Sequence, residues 1–520
     1  MEKEVAAATQ IIRPAGLLER LHISRQRLGL GATVLVAAKL SVPTSSQERS
    51  LHRDEFYDAV VEAIDQHPAL AVRIHNEVEN TGPPSLMRMS AVDLDKGIQF
   101  LTAEQSSTGF QAAVEDALFK QFDASGEDGP LWRFTVLPDN HVIFLYHHVL
   151  GDGQSGLAVL QTIVQALNNN KTTEVSTNAV RERHYAPRQK TDLLPPIEER
   201  TNCDITLRTL FHAVIDELLP SWTKNKVWTG NPVLPAVPTP PGRVATRVRI
   251  VSLPPDAASR LLAQARSHQT TITSIIHLSA IIALSHLLTE LHVSSKAPSD
   301  IGGKDASHTN AKSKYKKIKS HTAVSLRSFA NVPSTTMYET ASAHDHSENI
   351  VSTQLPFPCC ASTTPQSWKD DFPWSKASRI SKDLKKGGSH ARSKLGLLKF
   401  LDGKFEGYWE GKLGRKRDES LELSNVGSWS LQSSTQPNGI EDGQSNEKVD
   451  SESKWGVSSA YFAQDDNVVG SAIKVNVIGS PNGELNVCVT WGEGAVDDQL
   501  AEAFASGLRH GLEQLSNASP

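Results

Sequence analysis

The sequence predicts a mixed α/β protein built from two lobes. Segments with the twofold periodicity of strands alternate with segments of helical periodicity in both halves of the chain, which is typical of sheets flanked by helices. The 520 residues exceed what one hydrophobic core usually supports. A proline-rich stretch, residues 232–241, lies between the halves. We therefore expect an N-terminal lobe over residues 1–195, a linker over 196–243 and a C-terminal lobe over 244–520.

In the first half, apolar residues at helical spacing predict helices over residues 54–65 and 110–122. Residues 131–137 alternate between apolar and polar side chains, which predicts a half-buried strand. Residues 142–146 are continuously apolar, as in a strand that is buried on both faces. Apolar residues then recur at helical spacing over residues 157–167, so we expect a helix after a short loop.

In the second half, residues 244–253 predict a strand and residues 500–515 predict a final helix. Residues 272–288 form the longest apolar stretch, but serine, threonine and histidine interrupt it. We therefore expect a helix buried in the core, not a membrane span. The turn Asn482-Gly483 lies between two segments of alternating apolar residues and predicts a hairpin.

Two polar insertions interrupt the C-terminal lobe, near residues 294–320 and 430–454. The first contains five lysines between residues 312 and 319. Charge runs of this kind usually form solvated loops, and we interpret both insertions in that way.

Composition excludes several classes of function. The net charge of -5 and a pI near 6.4 do not favour nucleic acid as a partner, because phosphate binding usually needs a basic surface. Four cysteines in a chain of this length do not make a disulfide framework, and none lies in a CxxC pair that would indicate zinc. We expect a reducing compartment and a cytoplasmic location.

The N-terminus has no apolar core of signal-peptide length. Leucines and arginines over residues 13–30 fit two interpretations, which the sequence leaves open. The segment packs on the first lobe, or it contacts the surface of the endoplasmic reticulum or of a lipid droplet as a peripheral membrane element.

Candidate catalytic residues follow the buried strand over residues 142–146, in the sequence His147-His148-Val149-Leu150-Gly151-Asp152-Gly153. A base on a loop at a strand end is rigidly held and still reachable by substrate. Histidine suits this task because its ordinary pKa lies near neutral pH. The glycines allow backbone approaches that other residues resist, and Asp152 is placed to shape the loop.

The histidine pair has two other interpretations. Adjacent side chains of a strand point to opposite faces and rarely share one ion, and the sequence shows no second ligand cluster, so we expect no metal. The pair is also compatible with structural histidines whose nitrogens are satisfied in the core.

The segment His147-His148-x3-Asp152-Gly153 resembles the HHxxxDG motif of the CoA-dependent acyltransferase superfamily. This superfamily includes chloramphenicol acetyltransferase, plant hydroxycinnamoyl and alcohol acyltransferases, condensation domains of peptide synthetases and fungal alcohol acetyltransferases. A buried strand before the motif and an amphipathic helix after it agree with this resemblance.

Further segments are similar to the fungal alcohol acetyltransferases, and no DFGWG element of the plant branch is found. They are Arg13-Pro14-x-Gly16-x2-Glu19-Arg20, the WRxxxLP stretch over Trp132–Pro138, the SN(L/V)G element Ser424-Asn425-Val426-Gly427, and Trp455-Gly456-Val457 followed by Tyr461-Phe462.

The resemblance implies two similar lobes of the chloramphenicol-acetyltransferase type, with a channel between them. It implies acetyl-CoA as a co-substrate and no permanently bound cofactor. His148 would be the general base, with His147 and Gly153 in supporting roles. Asp152 would pair with an arginine, for which Arg327 is a candidate.

The expected reaction is O-acetylation of an alcohol without a covalent enzyme intermediate. His148 removes the hydroxyl proton as the oxygen attacks the thioester, and Ser424 and Asn425 are candidate donors to the oxyanion. Three alternatives are compatible with the sequence: an amine acceptor such as a sphingoid base, a carrier-protein thioester as in condensation domains, and a fold that binds a partner without catalysis. The sequence does not identify the acceptor.

Overall fold

The computed structural model describes most of the chain. The described residues are 11–42, 49–76, 82–120, 122, 129–169, 184–188, 192–218, 226–238, 244–294, 315–349, 372–430, 454–465 and 468–517. Most of the two predicted polar insertions therefore lies outside the described residues. The end of the first insertion is described, and there the expected loop is wrong, because residues 317–320 belong to a strand.

Seventeen strands are present in the described residues. They are β1 (Ile11–Pro14), β2 (Thr33–Ser41), β3 (Val72–His75), β4 (Ser85–Arg88), β5 (Val92–Asp93), β6 (Ile98–Phe100), β7 (Trp132–Val136), β8 (His141–His147), β9 (His184–Tyr185), β10 (Val227–Trp228), β11 (Thr246–Leu253), β12 (Lys317–Ser325), β13 (Ala341–Asn349), β14 (Leu421–Ser428), β15 (Gly456–Gln464), β16 (Ile473–Gly479) and β17 (Leu485–Gly492).

The α-helices that these residues form lie between the strands and at the chain end. They are α1 (Leu17–Arg27), α2 (Arg53–Gln66), α3 (Leu94–Gly97), α4 (Phe110–Phe119), α5 (Gly153–Asn169), α6 (Ile197–Arg200), α7 (Leu207–Leu218), α8 (Pro255–Ser267), α9 (Ile272–Ser294), α10 (Arg327–Ala330), α11 (Trp374–Gly396), α12 (Phe405–Glu410) and α13 (Asp498–Ser516). The predicted mixed α/β class is confirmed, and the predicted helices and strands agree with these bounds to within a few residues, except that α9 continues beyond residue 288.

The first large sheet has the strand order β15-β2-β8-β7-β6. Its central strand, β8, is buried along its whole length, as the continuous apolar run predicts. β8 pairs antiparallel with β2 on one side and with β7 on the other. Because β8 is hydrogen-bonded to a strand on each side, its end is fixed in the sheet, and so is the start of the loop that follows it.

The second large sheet has the order β10-β12-β14-β16-β17-β11, and β13 pairs with β12. The inner strands β12, β14 and β16 run parallel, so their carboxyl ends meet at one edge. β16 and β17 form the predicted hairpin, with Gly483 in the turn at a φ of +93°. Helices α8, α9 and α13 contribute buried apolar residues to the core beside this sheet.

The predicted lobe boundaries need one correction. β15 follows residue 244 in the chain, but it pairs antiparallel with β2 along Gly456–Gln464 and completes the N-terminal sheet. Alternation of apolar residues marks a strand but does not show which sheet the strand joins, so the sequence assigned it to the wrong lobe. One strand from the C-terminal half of the chain therefore completes the N-terminal sheet, so the two lobes are not consecutive in the chain.

The connection between β12 and β13, residues 326–340, extends from the C-terminal sheet to the end of β8. Asp152, just after β8, donates its backbone N–H to the carbonyl of Tyr338 in this connection. The side chain of Met337 belongs to the same hydrophobic cluster as Val149 and Leu150. This contact places residues from both lobes at one point.

The apolar segment that was expected to form a core helix and the N-terminal segment with two open interpretations are both packed. In α9, the stretch Ile272–Thr289 is long and apolar enough to cross a membrane, the single such stretch in the described residues, and 78% of it is buried inside the protein. This burial agrees with the predicted core helix. α1 buries Leu18 and Ile23, so these apolar side chains face the protein.

Phe504 is fully buried in α13, so its truncation measures how much the C-terminal core contributes to the stability of the protein. We expect Phe504→Ala to lower the free energy of unfolding by about 3–5 kcal/mol, because it removes apolar contacts and leaves a cavity. Urea denaturation followed by circular dichroism measures this loss. Phe400→Ala is the matched control, since Phe400 is 66% exposed and its truncation should change stability little. Equal losses in the two variants would contradict this packing.

Candidate active site

The turn after β8 is held by backbone and side-chain contacts. His148 donates its backbone N–H to Ala32 O at 2.8 Å, and a short 3₁₀ turn over His148–Leu150 follows. His147 is fully buried, and its Nδ1 accepts the N–H of Val149 at 2.9 Å. Burial lowers the pKa of His147 to about 3, so its ring is neutral near pH 7. His147 thus closes the turn that presents His148.

Gly153 begins α5 at a close approach between the lobes. A Cβ atom at this position would lie 2.5 Å from Val426 Cγ1 and 2.9 Å from a ring carbon of Phe462. A Cβ atom at such distances would force the side chain of Val426 or Phe462 to shift. The glycine of the motif therefore allows β14 to pack against the start of α5.

Asp152 forms a buried ion pair with Arg327, the arginine that the family resemblance suggested. Arg327 Nη2 donates to Asp152 Oδ1 at 2.7 Å, and Arg327 Nε donates to Oδ2 at 3.1 Å. Thr340 Oγ1 donates to Oδ2 at 2.7 Å, and Ser155 donates its backbone N–H and its hydroxyl to Oδ1. Both carboxylate oxygens are therefore occupied by contacts that join the two lobes.

The guanidinium of Arg327 has further partners in the β12–β13 connection. Its Nη1 donates to the carbonyl oxygens of Pro333 and Thr336, both at 2.9 Å. Its Nη2 also contacts Ser155 Oγ at 2.8 Å and Tyr338 O at 3.0 Å. These bonds fix the connection against the motif loop, which is a structural role for Asp152.

His148 lies between two residues that the sequence did not single out. Its Nδ1 is 2.5 Å from Oε2 of Glu339, which is a buried residue of the β12–β13 connection. The ring of His22, from α1, stacks on the His148 ring at a centroid distance of 4.0 Å and an interplanar angle of 5°. Burial raises the pKa of the Glu339 carboxyl, and burial followed by the charge of His148 lowers the pKa of His22 well below its usual value.

Sequence reasoning had little means of finding these two residues. His22 follows the opening segment that resembles the fungal enzymes, two residues after Arg20, which was a weak signal. Glu339 stands alone between Tyr338 and Thr340 with no motif around it. It is 191 residues from His148 in the chain, so only the tertiary fold brings the two together.

His22, His148 and Glu339 each offer an atom of the kind that binds metal ions, and these atoms lie within 4.8 Å of one another. However, Nδ1 of His148 and Oε2 of Glu339 are 2.5 Å apart. Two ligands at about 2.0–2.1 Å from a tetrahedral ion are separated by roughly 3.3 Å. The observed distance is that of a direct hydrogen bond, and the arrangement does not fit an ion between these atoms.

The two candidate oxyanion donors lie on β14 with opposite orientations. Asn425 Nδ2 donates to Thr273 Oγ1 at 2.9 Å, and Asn425 Oδ1 accepts the N–H of Gly427 at 2.9 Å. The amide of Asn425 therefore joins β14 to α9. Ser424 is buried on the other face of the strand, two residues before Val426, which packs beside Gly153. The amide of Asn425 is thus engaged by α9 and Gly427, and Ser424 stays a candidate donor.

Comparisons with known proteins agree with this arrangement. Residues 104–510 match the model of the alcohol acetyltransferase family. A probable alcohol acetyltransferase of Fusarium pseudograminearum is 23% identical over 98% of this chain and 96% of its own length. A probable alcohol acetyltransferase of Aspergillus fumigatus is 22% identical over 95% of this chain and 97% of its own length.

Among solved structures, a trichothecene 15-O-acetyltransferase from Fusarium sporotrichioides is similar in fold, with a TM-score of 0.63 and 12% identity. The match covers 98% of this chain and 95% of that chain. The condensation domain of the monacolin K polyketide synthase is also similar, with a TM-score of 0.52, 11% identity and 98% coverage of both chains. These likenesses support the predicted two-lobed acyltransferase fold.

Loss of the ion pair between the lobes should be costly. Arg327→Ala leaves Asp152 buried without its cationic partner, and we expect the free energy of unfolding to fall by about 3–5 kcal/mol. Urea denaturation measures this change. Arg379→Ala is the control, because Arg379 pairs with Glu348 at the surface and such pairs contribute at most about 1 kcal/mol. A loss in Arg327→Ala no larger than that of the control would refute the structural role.

The burial of neutral His147 should make stability depend on pH. The pKa of His147 is about 3 in the folded protein and about 6.5 in an unfolded chain, so the unfolded chain binds a proton that the folded protein excludes. Its contribution to stability is present above pH 6.5 and is lost as pH falls toward 3. Urea denaturation at pH 7 and pH 4.5 should show a smaller decrease in His147→Asn, whose Oδ1 can still accept from Val149. An unchanged decrease would contradict this assignment.

Proposed function

Because the chain belongs to the alcohol acetyltransferase family and is an acyltransferase, we propose that it transfers an acetyl group from acetyl-CoA to an alcohol, with His148 as the general base. The observation that carries this proposal is the position of His148. It follows a strand that is paired on both sides, and it lies where the β12–β13 connection of the C-terminal sheet meets the N-terminal lobe. In this proposal donor and acceptor reach the base from the two sides of the junction between the lobes.

In this mechanism the acceptor hydroxyl transfers its proton to His148 as its oxygen attacks the thioester carbon. The carbonyl carbon becomes tetrahedral, and its oxygen carries a negative charge that hydrogen-bond donors stabilise. Collapse breaks the C–S bond, and the proton held by His148 passes to the CoA sulfur. Ser424 is the proposed side-chain donor to the oxyanion, because Asn425 is engaged with Thr273 and Gly427.

Direct transfer without a covalent enzyme intermediate agrees with the surroundings of His148. Glu339, which hydrogen-bonds to its ring, and His22, which stacks on it, are not the serine or cysteine nucleophiles of acyl-enzyme mechanisms. The described cysteines are Cys203 and Cys488, and both are buried. Burial raises the pKa of Cys203 and raises that of Cys488 to about 12, which disfavours the reactive thiolate.

The enzyme is further proposed to act in the cytoplasm. Cys203 and Cys488 are free thiols, as in a reducing compartment. Contact with a membrane or a lipid droplet through α1 is not favoured, since Leu18 and Ile23 of that helix are buried.

The first test is release of CoA from acetyl-CoA, followed with a thiol reagent. We expect acceptor-dependent release by the wild-type enzyme and a loss of about 10²–10⁴-fold in kcat/KM in His148→Ala, because the general base is removed. The acceptor panel should contain short alcohols, multicyclic alcohols and amines. Acetylation of the amines alone would replace the alcohol acceptor with an amine.

His184→Ala is the matched control, because the His184 side chain is 68% exposed on a short surface strand. Its activity should equal that of the wild type. Full activity in His148→Ala, with a product confirmed by mass spectrometry, would exclude His148 as the base.

A further inference from the structure

Glu339 is a buried carboxylate with two defined partners. Its side chain is 2% exposed, its Oε2 lies 2.5 Å from His148 Nδ1, and its Oε1 accepts the backbone N–H of Ala341 at 2.7 Å. Removing a carboxylate from water is costly unless it is paired and hydrogen-bonded. Since both oxygens are held, the carboxylate is fixed relative to the imidazole.

We propose that Glu339 is the positioning residue of the base: it keeps the proton of neutral His148 on Nδ1, so that Nε2 is free to accept the proton of the substrate. This inference rests on the proposed function and adds the residue that controls its base. A neutral imidazole carries one N–H, and an ionised carboxylate can only accept a hydrogen bond. An ionised Glu339 at 2.5 Å from Nδ1 therefore requires the proton to be on Nδ1.

The same contact stabilises the product of proton transfer. When the O–H bond of the acceptor breaks, its proton forms a new bond to Nε2, and His148 becomes a cation. The negative charge of Glu339 at Nδ1 favours this cation in a buried site where water does not screen it. The proton leaves Nε2 for the CoA sulfur when the C–S bond breaks, so the pair returns to its starting state.

Asp152, the carboxylate of the motif, is not available for this task. Its oxygens accept bonds from Arg327, Thr340 and Ser155. The structure thus separates two roles between two carboxylates. Asp152 joins the lobes, and Glu339 contacts the base.

The ionised state of Glu339 depends on its surroundings. Burial raises the pKa of its carboxyl and Asp152 adds to this effect, while His148 and the N–H of Ala341 oppose it. Further titratable or charged groups act on His22, His148 or Asp152 around it: Arg25 from α1, Tyr146 and His147 from β8, Lys474 from β16, and Arg327 from α10.

Because burial raises the pKa of the Glu339 carboxyl, this group takes up a proton as pH falls. Its O–H can then donate to Nδ1 of His148, which shifts the imidazole proton to Nε2. Nε2 is then blocked as a base. Activity should therefore decrease on the acid side as Glu339 is protonated.

The kinetic test uses Glu339→Gln, which keeps the size of the side chain and removes its charge. We expect kcat to fall by about 10²–10⁴-fold with little change in KM for acetyl-CoA, because the amide neither fixes the proton nor stabilises the cation. The acid limb that comes from protonation of Glu339 should be lost from the pH profile, because the amide does not titrate. Glu339→Asp should recover part of the activity.

Asp65→Asn is the matched control, because Asp65 is also a buried, hydrogen-bonded carboxylate and its partners are Tyr185 and Arg188. Its kcat and pH profile should match those of the wild type, even if its stability falls. A kcat for Glu339→Gln within about threefold of the wild type, in a protein shown to be folded by circular dichroism, would overturn the proposal.

A second measurement does not depend on activity. Nitrogen-15 NMR of histidine-labelled protein at pH 7.5 reports which ring nitrogen carries the proton, and His148→Ala identifies the signals of His148. We expect a protonated Nδ1 in the wild type and averaged shifts in Glu339→Gln. A wild-type signal with the proton on Nε2 would overturn the proposal. If the wild type has the Nδ1 proton but transfers acetyl to no acceptor, the proposed reaction fails and the assignment of Glu339 stands.

Discussion

The buried ion pair between Asp152 and Arg327 is the constraint on which the rest of the site depends. It joins the loop after the central strand of one sheet to the connection between two strands of the other. Two buried charges gain little stability by themselves, but the loss of one partner leaves the other without compensation. The role of the pair is therefore to fix the position of the two lobes relative to each other.

The relative position of the two lobes determines which side chains contact His148. Glu339 is twelve positions beyond Arg327 in the same connection, so the contacts that hold Arg327 also hold Glu339 beside Nδ1. The pairing of β15 with β2 in the N-terminal sheet adds a second link between the halves of the chain. The site is therefore made at a junction that is crossed by an ion pair and by hydrogen bonds.

The two adjacent histidines, His147 and His148, have different roles. His147 points into the core, where burial keeps it neutral, and it closes the turn through Val149. His148 points toward the other lobe and contacts Glu339 and His22. A strand end separates the two side chains because consecutive residues face opposite sides. The same alternation separates Ser424 from Asn425 on β14, where the outward amide is used to hold α9.

By itself, the sequence determined the class of fold, most helices and strands, the family and the position of the candidate base. These depend on local periodicity and on a short motif, because apolar spacing and turn residues act over a few positions. The tertiary structure alone decided that β15 joins the first sheet, that Asn425 faces α9, and that His22 and Glu339 surround His148. Contacts of this kind join residues more than a hundred positions apart, and no local pattern records which distant side chain will be brought to a given nitrogen.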